Sequence, residues 1–301
     1  MGRLLTGRPF FVPGRGAVHL VPALGKIGFV PVVEVTGGVR IHYRLDGPSG
    51  GEPLVLIMGL GWDLRGWDPM MPYLPGFRVL RVDNRGVGRS DTPAAFTIVD
   101  MARDIVAAMD VAGFKAAHVY GASLGSMIAQ ELAIAYPERV RSLILGCPSP
   151  GVVSFPGSPG ILATLMTQRR YSREQAFQRI APYLFGRSLS ERPEAVQEAM
   201  RVRLGRRPNF AGMRAQLNAT LRWSSLRRLG RIKAPTLVIH GDRDRLLPIQ
   251  NGRLIARLVP HARLHVLEGA GHIYSVDAPA EHLRVVVDFL REQSARAQAA
   301  S

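Results

Sequence analysis

The sequence predicts an α/β fold with a mostly parallel central sheet, helices on both faces of that sheet and one helical insert. Short apolar runs alternate with segments whose apolar residues recur at helical spacing, which is typical of parallel strands joined by helical crossovers. This alternation stops at Pro148 and resumes at Ala234, and helical periodicity fills the interval. With 301 residues and 47% hydrophobic content, the chain is long enough to bury such a core.

Residues 1–31 precede the first strand of the predicted core. They are rich in Gly and Pro, show no sustained periodicity and lack the apolar core and cleavage site of a secretory signal. We therefore expect a flexible N-terminal extension that is either disordered or loosely docked. The next segment, residues 32–45, predicts a β-hairpin that turns at Gly37 and Gly38.

The expected core domain comprises residues 32–148 and 234–301, and the insert comprises residues 149–233. Core strands are predicted at 54–58, 78–82, 116–120, 142–146, 236–240 and 264–268, and core helices at 66–74, 98–112, 124–136 and 278–293. Helices of the insert are predicted at 161–169, 173–184, 192–204 and 210–221.

The formal net charge of +16 raises the question of a nucleic-acid partner. Arginine supplies 36 of the 39 basic residues, a bias that a GC-rich genome produces without any such partner. The excess is concentrated in the insert, which has 16 basic residues and four glutamates. Because no aromatic residues are interleaved with these arginines to stack on bases, we expect no nucleic-acid binding.

The longest apolar stretches are interrupted well before the roughly 20 residues that a membrane-spanning helix needs, so no membrane span is expected. The single cysteine, Cys147, cannot form an internal disulfide, which fits a cytoplasmic location. Its position at the end of a predicted strand indicates a small buried hydrophobic residue. A homodimer is compatible with the sequence.

A serine between two glycines stands at the junction of a predicted strand and a predicted helix. Residues 119–126 are VYGASLGS, so Ser123 is flanked by Gly121 and Gly125. The two glycines allow a turn sharp enough to strain the serine while strand and helix approach closely. The hydroxyl would then lie at a helix N-terminus, where amides favour developing negative charge. An ordinary N-cap role for Ser123 would leave both glycines unexplained.

Two further polar groups follow predicted strands. The strand at 236–240 leads into a loop with Asp242 and Asp244, and the strand at 264–268 leads into a glycine-rich stretch that ends at His272. Open α/β sheets build their sites at the carboxyl ends of parallel strands. The chain order Ser, Asp, His therefore predicts a nucleophile, an orienting carboxylate and a general base.

The other histidines show no ligand spacing. His240 and His265 lie within predicted strands, and we interpret both as packing or solvent-facing residues rather than ligands. No histidine pair or cysteine pair has the spacing of a zinc site. We therefore expect neither a metal nor a cofactor.

These stretches together resemble the α/β-hydrolase superfamily over about residues 32–295. The resemblance rests on PLVLIMGLG at 53–61, VDNRGVGRSD at 82–91, the G-x-S-x-G pentapeptide, G-x-x-D-x-x-x-P at 241–248 and G-x-G-H at 269–272. It implies a Ser123 nucleophile and a His272 base. It also implies that Asp244, which keeps the motif register that Asp242 does not, orients the histidine.

The resemblance implies an oxyanion hole formed by the backbone amides of Leu60 and Leu124. The sequence departs from the common family pattern beside the first of these, because it has Met58-Gly59 where many members have His-Gly. Backbone donors survive such a change, but the loop must be braced differently, and packing by Trp62 or Trp67 is the expected means.

The resemblance further implies that residues 149–233 form a helical cap, which would shape the substrate pocket and exclude water. The expected substrate-binding residues are Gly59, Trp62, Tyr183 and Trp223.

The predicted activity is that of a serine hydrolase acting on a carboxylic ester or lactone of a small to medium hydrophobic substrate. Carbon–carbon bond hydrolysis and cofactor-free haloperoxidase or perhydrolase chemistry use the same three side chains and remain open. Dehalogenase and epoxide-hydrolase activities are disfavoured, since relatives with those activities have aspartate in place of Ser123. A non-catalytic ligand-binding relative would be expected to lack one of the three residues.

Overall fold

The computed structural model describes residues 18–22, 29–167, 171–205 and 209–299. Nine strands are found in this part of the chain: β1 (Val18–Pro22), β2 (Phe29–Val35), β3 (Val39–Asp46), β4 (Glu52–Ile57), β5 (Phe77–Val82), β6 (Ala117–Ala122), β7 (Val140–Gly146), β8 (Thr236–Gly241) and β9 (Arg263–Leu267). They form one sheet in the order β1-β2-β3-β5-β4-β6-β7-β8-β9.

The sheet is antiparallel on one side and parallel elsewhere. The pairs from β1 through β2 and β3 to β5 are antiparallel. The pairs from β5 through β4, β6, β7 and β8 to β9 are parallel. Parallel neighbours need crossover connections, and most of these contain helices. The predicted mostly parallel sheet is confirmed.

The helices in the described residues are α1 (Ile98–Val111), α2 (Leu124–Ala135), α3 (Pro159–Thr167), α4 (Arg173–Leu184), α5 (Ser188–Glu191), α6 (Pro193–Leu204), α7 (Phe210–Thr220), α8 (Ile249–Leu258), α9 (Tyr274–Asp277) and α10 (Pro279–Ala299). Short 3-10 helices occur at Leu64–Tyr73, Pro137–Arg139 and Leu226–Arg231. No helix in the described ranges is both long and apolar enough to cross a membrane.

Hydrophobic clusters cover both faces of the sheet, as predicted. Successive side chains of a strand point to opposite faces, and β4 shows this directly. Val55 and Ile57 join the cluster that contains residues of α1, α2 and α8. Leu54 and Leu56 join the cluster that contains residues of α10 and of the 3-10 helix Leu64–Tyr73. The apolar run at residues 54–57 of β4 is therefore explained by burial on both sides.

The N-terminal region differs from the prediction where the structure describes it. The expected flexible extension, residues 1–31, includes β1, which pairs antiparallel with β2 from Val18 opposite Val33 to Pro22 opposite Phe29. This pairing satisfies backbone groups of β2 that would otherwise form an exposed edge. The remainder of the extension, residues 1–17 and 23–28, lies outside the described residues.

The insert, residues 149–233, connects β7 to β8 and carries α3 to α7. The four helices predicted there correspond to α3, α4, α6 and α7, and α5 is an additional short helix. The division of the chain into extension, core and cap remains a prediction. Hydrogen bonds join the insert to the loop after β4, to α9 and to α2.

The turn from β6 into α2 depends on a close approach of backbones. An added Cβ at Gly121 would lie 2.1 Å from the carbonyl oxygen of Gly125, and one at Gly125 would lie 2.1 Å from the carbonyl oxygen of Ile57. Both neighbours are backbone atoms, which a side-chain rotation cannot move aside. Glycine at these two positions therefore sets how closely α2 can pack on β4 and β6.

We predict that Gly121→Ala lowers the free energy of unfolding by about 1–3 kcal/mol, because the added methyl group forces α2 away from β6. Urea denaturation followed by circular dichroism measures this change. Gly76→Ala is the matched control, since nothing lies within 4 Å of its added Cβ. Equal stability of the Gly121→Ala variant and the wild type would contradict the packing role.

Candidate active site

Ser123 occupies the strained turn between β6 and α2. Its backbone angles are φ 55° and ψ −120°, a combination that side-chain-bearing residues rarely adopt. The turn is held by the Ser123 N–H, which donates to the Gly146 carbonyl at 2.8 Å. The Ser126 hydroxyl donates to the Ser123 carbonyl at 2.6 Å. The surrounding fold thus fixes the strained serine at the head of α2.

Ser123, His272 and Asp244 form one continuous hydrogen-bonded series. His272 Nε2 lies 3.0 Å from Ser123 Oγ, and His272 Nδ1 lies 2.8 Å from Asp244 Oδ2. A carboxylate only accepts, so the Nδ1 proton points to Asp244 in the neutral imidazole and the Nε2 lone pair faces the serine hydroxyl. This is the arrangement in which a histidine can take a proton from serine.

Asp244 is buried and held by donors on several sides. Its Oδ1 accepts the N–H groups of Leu246 at 2.9 Å and Leu247 at 2.8 Å. Burial raises the pKa of Asp244, but the adjacent His272 charge and hydrogen bonds from His240 and His272 outweigh burial and lower it to about 2. The carboxylate therefore stays ionised at neutral pH.

The same pairing changes the pKa of His272 in the opposite direction. Burial lowers the pKa of the imidazole, but the Asp244 carboxylate opposes this effect and helps to hold the pKa well above the ordinary value of 6.5. An imidazolium at this position is therefore stabilised by the carboxylate on Nδ1.

Asp242 does not take part in this series. Its Oδ1 accepts the N–H of Gly269 at 2.7 Å, at the solvent-exposed side of the loop. The geometry brings Asp244, the residue in the motif register, to His272.

His240 was expected to be a packing or solvent-facing residue, and the structure places it behind Asp244. It is fully buried, and its Nε2 lies 2.7 Å from the Leu247 carbonyl and 3.3 Å from Asp244 Oδ2. Since both neighbours are acceptors, Nε2 carries the proton and supports the carboxylate at Oδ2, the same oxygen that faces His272 Nδ1. His265 instead makes a partly exposed pair with Glu281 at 2.9 Å.

The two expected oxyanion donors, the amides of Leu60 and Leu124, belong to the loop after β4 and to the first turn of α2. Leu124 is the first residue of α2, where amide N–H groups have no acceptor within the helix. Leu60 follows Gly59, whose added Cβ would lie 3.1 Å from Ser123 Cβ and 3.6 Å from Ser123 Oγ. Gly59, an expected substrate-binding residue, therefore lies beside the serine, with little room for a side chain between them.

Hydrogen bonds brace the loop at residues 58–62. The Gly61 N–H donates to Gln216 Oε1 at 2.9 Å, and Gln216 Nε2 donates to the Arg85 carbonyl at 2.8 Å. Gln216 belongs to α7 and is fully buried. Asn84 Nδ2 donates to the Met58 carbonyl at 2.8 Å. Sequence reasoning missed these polar braces because their residues are distant in the chain.

The two tryptophans expected to brace this loop have different positions. Trp62 is partly exposed and lies under the Arg203 guanidinium, 4.8 Å from the ring centroid, and Arg203 also donates to the Gly61 carbonyl. Trp67 lies in the core against Tyr120, with ring centroids 4.8 Å apart. Arg203 of α6 thus braces the loop at residues 58–62 by stacking on Trp62 and by its hydrogen bond to Gly61.

The other two expected substrate-binding residues, Tyr183 and Trp223, lie in different parts of the structure. Tyr183 is partly buried beneath the Arg245 guanidinium, 4.9 Å from the ring centroid, next to the loop of Asp244. Trp223 is a core residue whose Nε1 donates to Glu131 at 2.6 Å, two turns along α2 from Ser123. The indole of Trp223 therefore packs against α2, and its role in substrate binding stays a prediction.

Asp277 ties the insert to the loop of His272. Its Oδ2 accepts the N–H groups of Gly271 at 2.8 Å and Gly186 at 2.9 Å. Its Oδ1 accepts the Ser188 N–H at 3.0 Å and the Ser188 hydroxyl. One buried carboxylate therefore fixes the position of the residue before His272 relative to α4 and α5. No sequence motif pointed to this role.

Cys147 is buried as predicted, but it also contacts His272. It follows β7 with a positive φ of 38°, and its Sγ lies 3.9 Å from His272 Nε2. The rule that polar groups after parallel strands meet at one edge could have found this contact, since Cys147 follows a strand just as Ser123 does.

Comparison with known proteins agrees with this architecture. The profile of the alpha/beta hydrolase fold matches residues 52–279. The chain is 34% identical over 248 residues to a poly(3-hydroxyalkanoate) depolymerase from Ectopseudomonas oleovorans, covering 81% of this chain and 86% of that protein. It is 32% identical over 286 residues to a 2-hydroxy-6-oxononadienedioate/2-hydroxy-6-oxononatrienedioate hydrolase from Burkholderia vietnamiensis strain G4, covering 91% and 98%.

A solved structure shows the same fold. The enol-lactonase from Burkholderia xenovorans LB400 superposes with a TM-score of 0.76 at 28% identity, covering 87% of this chain and all of the other. These similar proteins are hydrolases by name, and the profile match spans well over half of the sequence. The chain therefore belongs to the α/β-hydrolase family, and its activity is that of a hydrolase.

Proposed function

We propose that the protein is a serine hydrolase that cleaves a carboxylic ester or lactone of a small to medium hydrophobic substrate through an acyl-enzyme intermediate. The observation that carries this proposal is the hydrogen-bonded series from Ser123 through His272 to Asp244, at 3.0 and 2.8 Å. Such a series activates a hydroxyl that is otherwise a weak nucleophile.

In the first half of the proposed reaction, His272 Nε2 takes the hydroxyl proton while Ser123 Oγ attacks the substrate carbonyl carbon. The carbonyl oxygen becomes an oxyanion and accepts hydrogen bonds from the amides of Leu60 and Leu124. The imidazolium then gives its proton to the leaving alkoxide, the carbon–oxygen bond breaks, and the acyl group remains on Ser123.

In the second half, water replaces the alcohol. His272 takes a proton from water as its oxygen attacks the acyl carbon, and the second oxyanion uses the same amides. The imidazolium returns its proton to Ser123 Oγ as the carboxylic acid leaves. Asp244 stays ionised throughout, as its low pKa allows, and holds the Nδ1 proton in place.

The insert is proposed to act as the cap over this reaction. It binds the expected oxyanion loop through Gln216 and Arg203, and it binds the histidine loop through Asp277. Its contacts thus reach both sides of Ser123, where a cap would shape the pocket and exclude water.

The named relatives support two substrate classes. The polyester depolymerase and the enol-lactonase, by their names, act on ester-type bonds, which favours the main proposal. The dienedioate hydrolase is similar over 91% of this chain, so hydrolysis of a carbon–carbon bond in a 2-hydroxy-6-oxo-dienoic acid is the second candidate.

A chain-length series of p-nitrophenyl esters tests the proposal. We expect turnover by the wild type, with the optimum reporting the pocket size, and a loss of kcat/KM of about 10⁴-fold or more in Ser123→Ala. Ser190→Ala, at an exposed serine of the insert, should match the wild type. Hydrolysis by folded Ser123→Ala at the wild-type rate would contradict the nucleophile role. If the wild type turns over a 2-hydroxy-6-oxo-dienoate but none of the esters, the second candidate is favoured.

Asp244→Asn should lower kcat about 10³- to 10⁴-fold, because an amide cannot stabilise the imidazolium. Asp242→Asn is the matched control, since it keeps an acceptor for Gly269 and lies outside the series.

The acid limb of the wild-type kcat/KM profile should have its midpoint above pH 6.5. Below the raised pKa of His272 the imidazole is protonated and cannot act as base.

In Asp244→Asn the midpoint of this limb should move to lower pH, because the charge that raises the pKa of His272 is lost. An unchanged midpoint in Asp244→Asn, or equal losses of kcat in the two aspartate variants, would contradict the assigned role of Asp244.

Gln216→Ala should lower kcat about tenfold or more with little change in KM, because Gly61 loses its acceptor and the adjacent Leu60 amide is no longer held in place. Asn218→Ala, at an exposed position of the same helix, controls for general effects on α7. If the two variants have the same kcat, the bond from Gln216 does not position the oxyanion donor.

A further inference from the structure

The contact between Cys147 and His272 has no part in the proposed ester hydrolysis. Sγ of Cys147 lies 3.9 Å from His272 Nε2, the same nitrogen that faces the Ser123 hydroxyl at 3.0 Å. Among the described residues, Cys147, Asp244 and His272 offer potential metal-ligand atoms that all lie within 4.8 Å of one another. Because Cys147 and His272 are 125 residues apart, the spacing along the sequence does not reveal this cluster.

The distance between sulfur and nitrogen is close to that required by a tetrahedral zinc ion. Zinc binds thiolate sulfur at about 2.3 Å and imidazole nitrogen at about 2.0–2.1 Å, so the two ligand atoms stand roughly 3.6 Å apart at a tetrahedral angle. The observed 3.9 Å needs a shift of a few tenths of an ångström. A small movement of the thiol supplies that shift.

The imidazole is already oriented as a zinc ligand. Histidines that bind zinc usually donate the proton of their other ring nitrogen to a carboxylate, which fixes the tautomer and raises the basicity of the binding nitrogen. Asp244 accepts from Nδ1 at 2.8 Å and is itself held by the amides of Leu246 and Leu247. In the neutral imidazole, above the pKa of His272, Nε2 therefore presents its lone pair toward Ser123 and Cys147 with the ring orientation already fixed by Asp244.

We propose that Cys147 Sγ and His272 Nε2 form an inhibitory site for a borderline-soft divalent cation, with Zn²⁺ as the fitting ion. Sulfur and nitrogen each donate an electron pair to the ion, the thiol proton and, where His272 is protonated, its Nε2 proton leave to solvent, and no group is oxidised or reduced. Water completes the coordination, and Asp244 remains the hydrogen-bond partner of Nδ1.

Binding of the ion and proton transfer from serine exclude one another. Nε2 has a single lone pair, which either accepts the Ser123 proton or binds the metal. The ion would also occupy the space in front of the hydroxyl, where the substrate carbonyl must lie. Inhibition is therefore expected to be reversible by a chelator and competitive with substrate. Magnesium, which prefers oxygen ligands, should not bind there.

Cobalt titration of the full chain tests binding without any substrate. The sequence has one cysteine, so a thiolate-to-cobalt charge-transfer absorption can arise only from Cys147. We expect this absorption in the wild type, its loss in Cys147→Ser, and its displacement by Zn²⁺. Folded wild type that shows no thiolate-to-cobalt absorption at saturating Co²⁺ would overturn the site, whether or not the protein hydrolyses esters.

Zinc inhibition of p-nitrophenyl ester hydrolysis tests the consequence, which rests on the proposed function. We expect Cys147→Ser to raise the Zn²⁺ concentration for half-inhibition at least tenfold, and we expect ethylenediaminetetraacetate to restore wild-type activity. His265→Asn is the matched control, because it removes the surface pair with Glu281, an alternative place for zinc. Loss of inhibition in His265→Asn with full inhibition of Cys147→Ser would overturn the proposal. If Cys147→Ser does not fold, the wild-type cobalt spectrum decides.

Discussion

The parallel alignment of β6, β7 and β8 is the constraint on which the site depends. Ala122 and Gly146, the last residues of β6 and β7, are paired, and Gly146 pairs with Ile239, two residues before the end of β8. The next residues of the first two strands, Ser123 and Cys147, both have positive φ and both approach His272 Nε2. Because side chains after such strand ends converge, residues more than a hundred positions apart become neighbours.

The buried charges of Asp244 and His272, at the carboxyl-end edge of the sheet, are stabilised by pairing with each other rather than by solvent. Burial opposes ionisation of both Asp244 and His272. For Asp244 the charges and hydrogen bonds of His272 and His240 outweigh the desolvation penalty, and for His272 the Asp244 carboxylate and the adjacent Cys147 do so. Removing one partner would leave the other buried and uncompensated. His240 adds a third group to this pair, and Gly252 packs against it so closely that an added Cβ would lie 2.5 Å from His240 Nδ1.

The insert is bound to the core at the loops that carry chemistry. Gln216 of α7 reaches the loop before the 3-10 helix Leu64–Tyr73, and Asp277 joins the segment after α4 to the amide beside His272. Under the proposed function, the insert that would shape the substrate pocket also holds the loop of the proposed oxyanion hole, so substrate specificity and oxyanion geometry would be coupled. The arginine excess of the insert has a local use at Arg203, which stacks on Trp62.

The sequence by itself determined the parallel sheet, and it predicted the helical insert, the turn at Ser123 and the role of Asp244, because apolar period and motif register are local properties of the chain. It did not determine the position of Trp223, the support of Asp244 by His240, or the contact of Cys147 with His272. Those depend on which strands become neighbours and on how far each side chain extends. Only the tertiary structure decides these distances, since packing joins residues that no spacing in the chain relates.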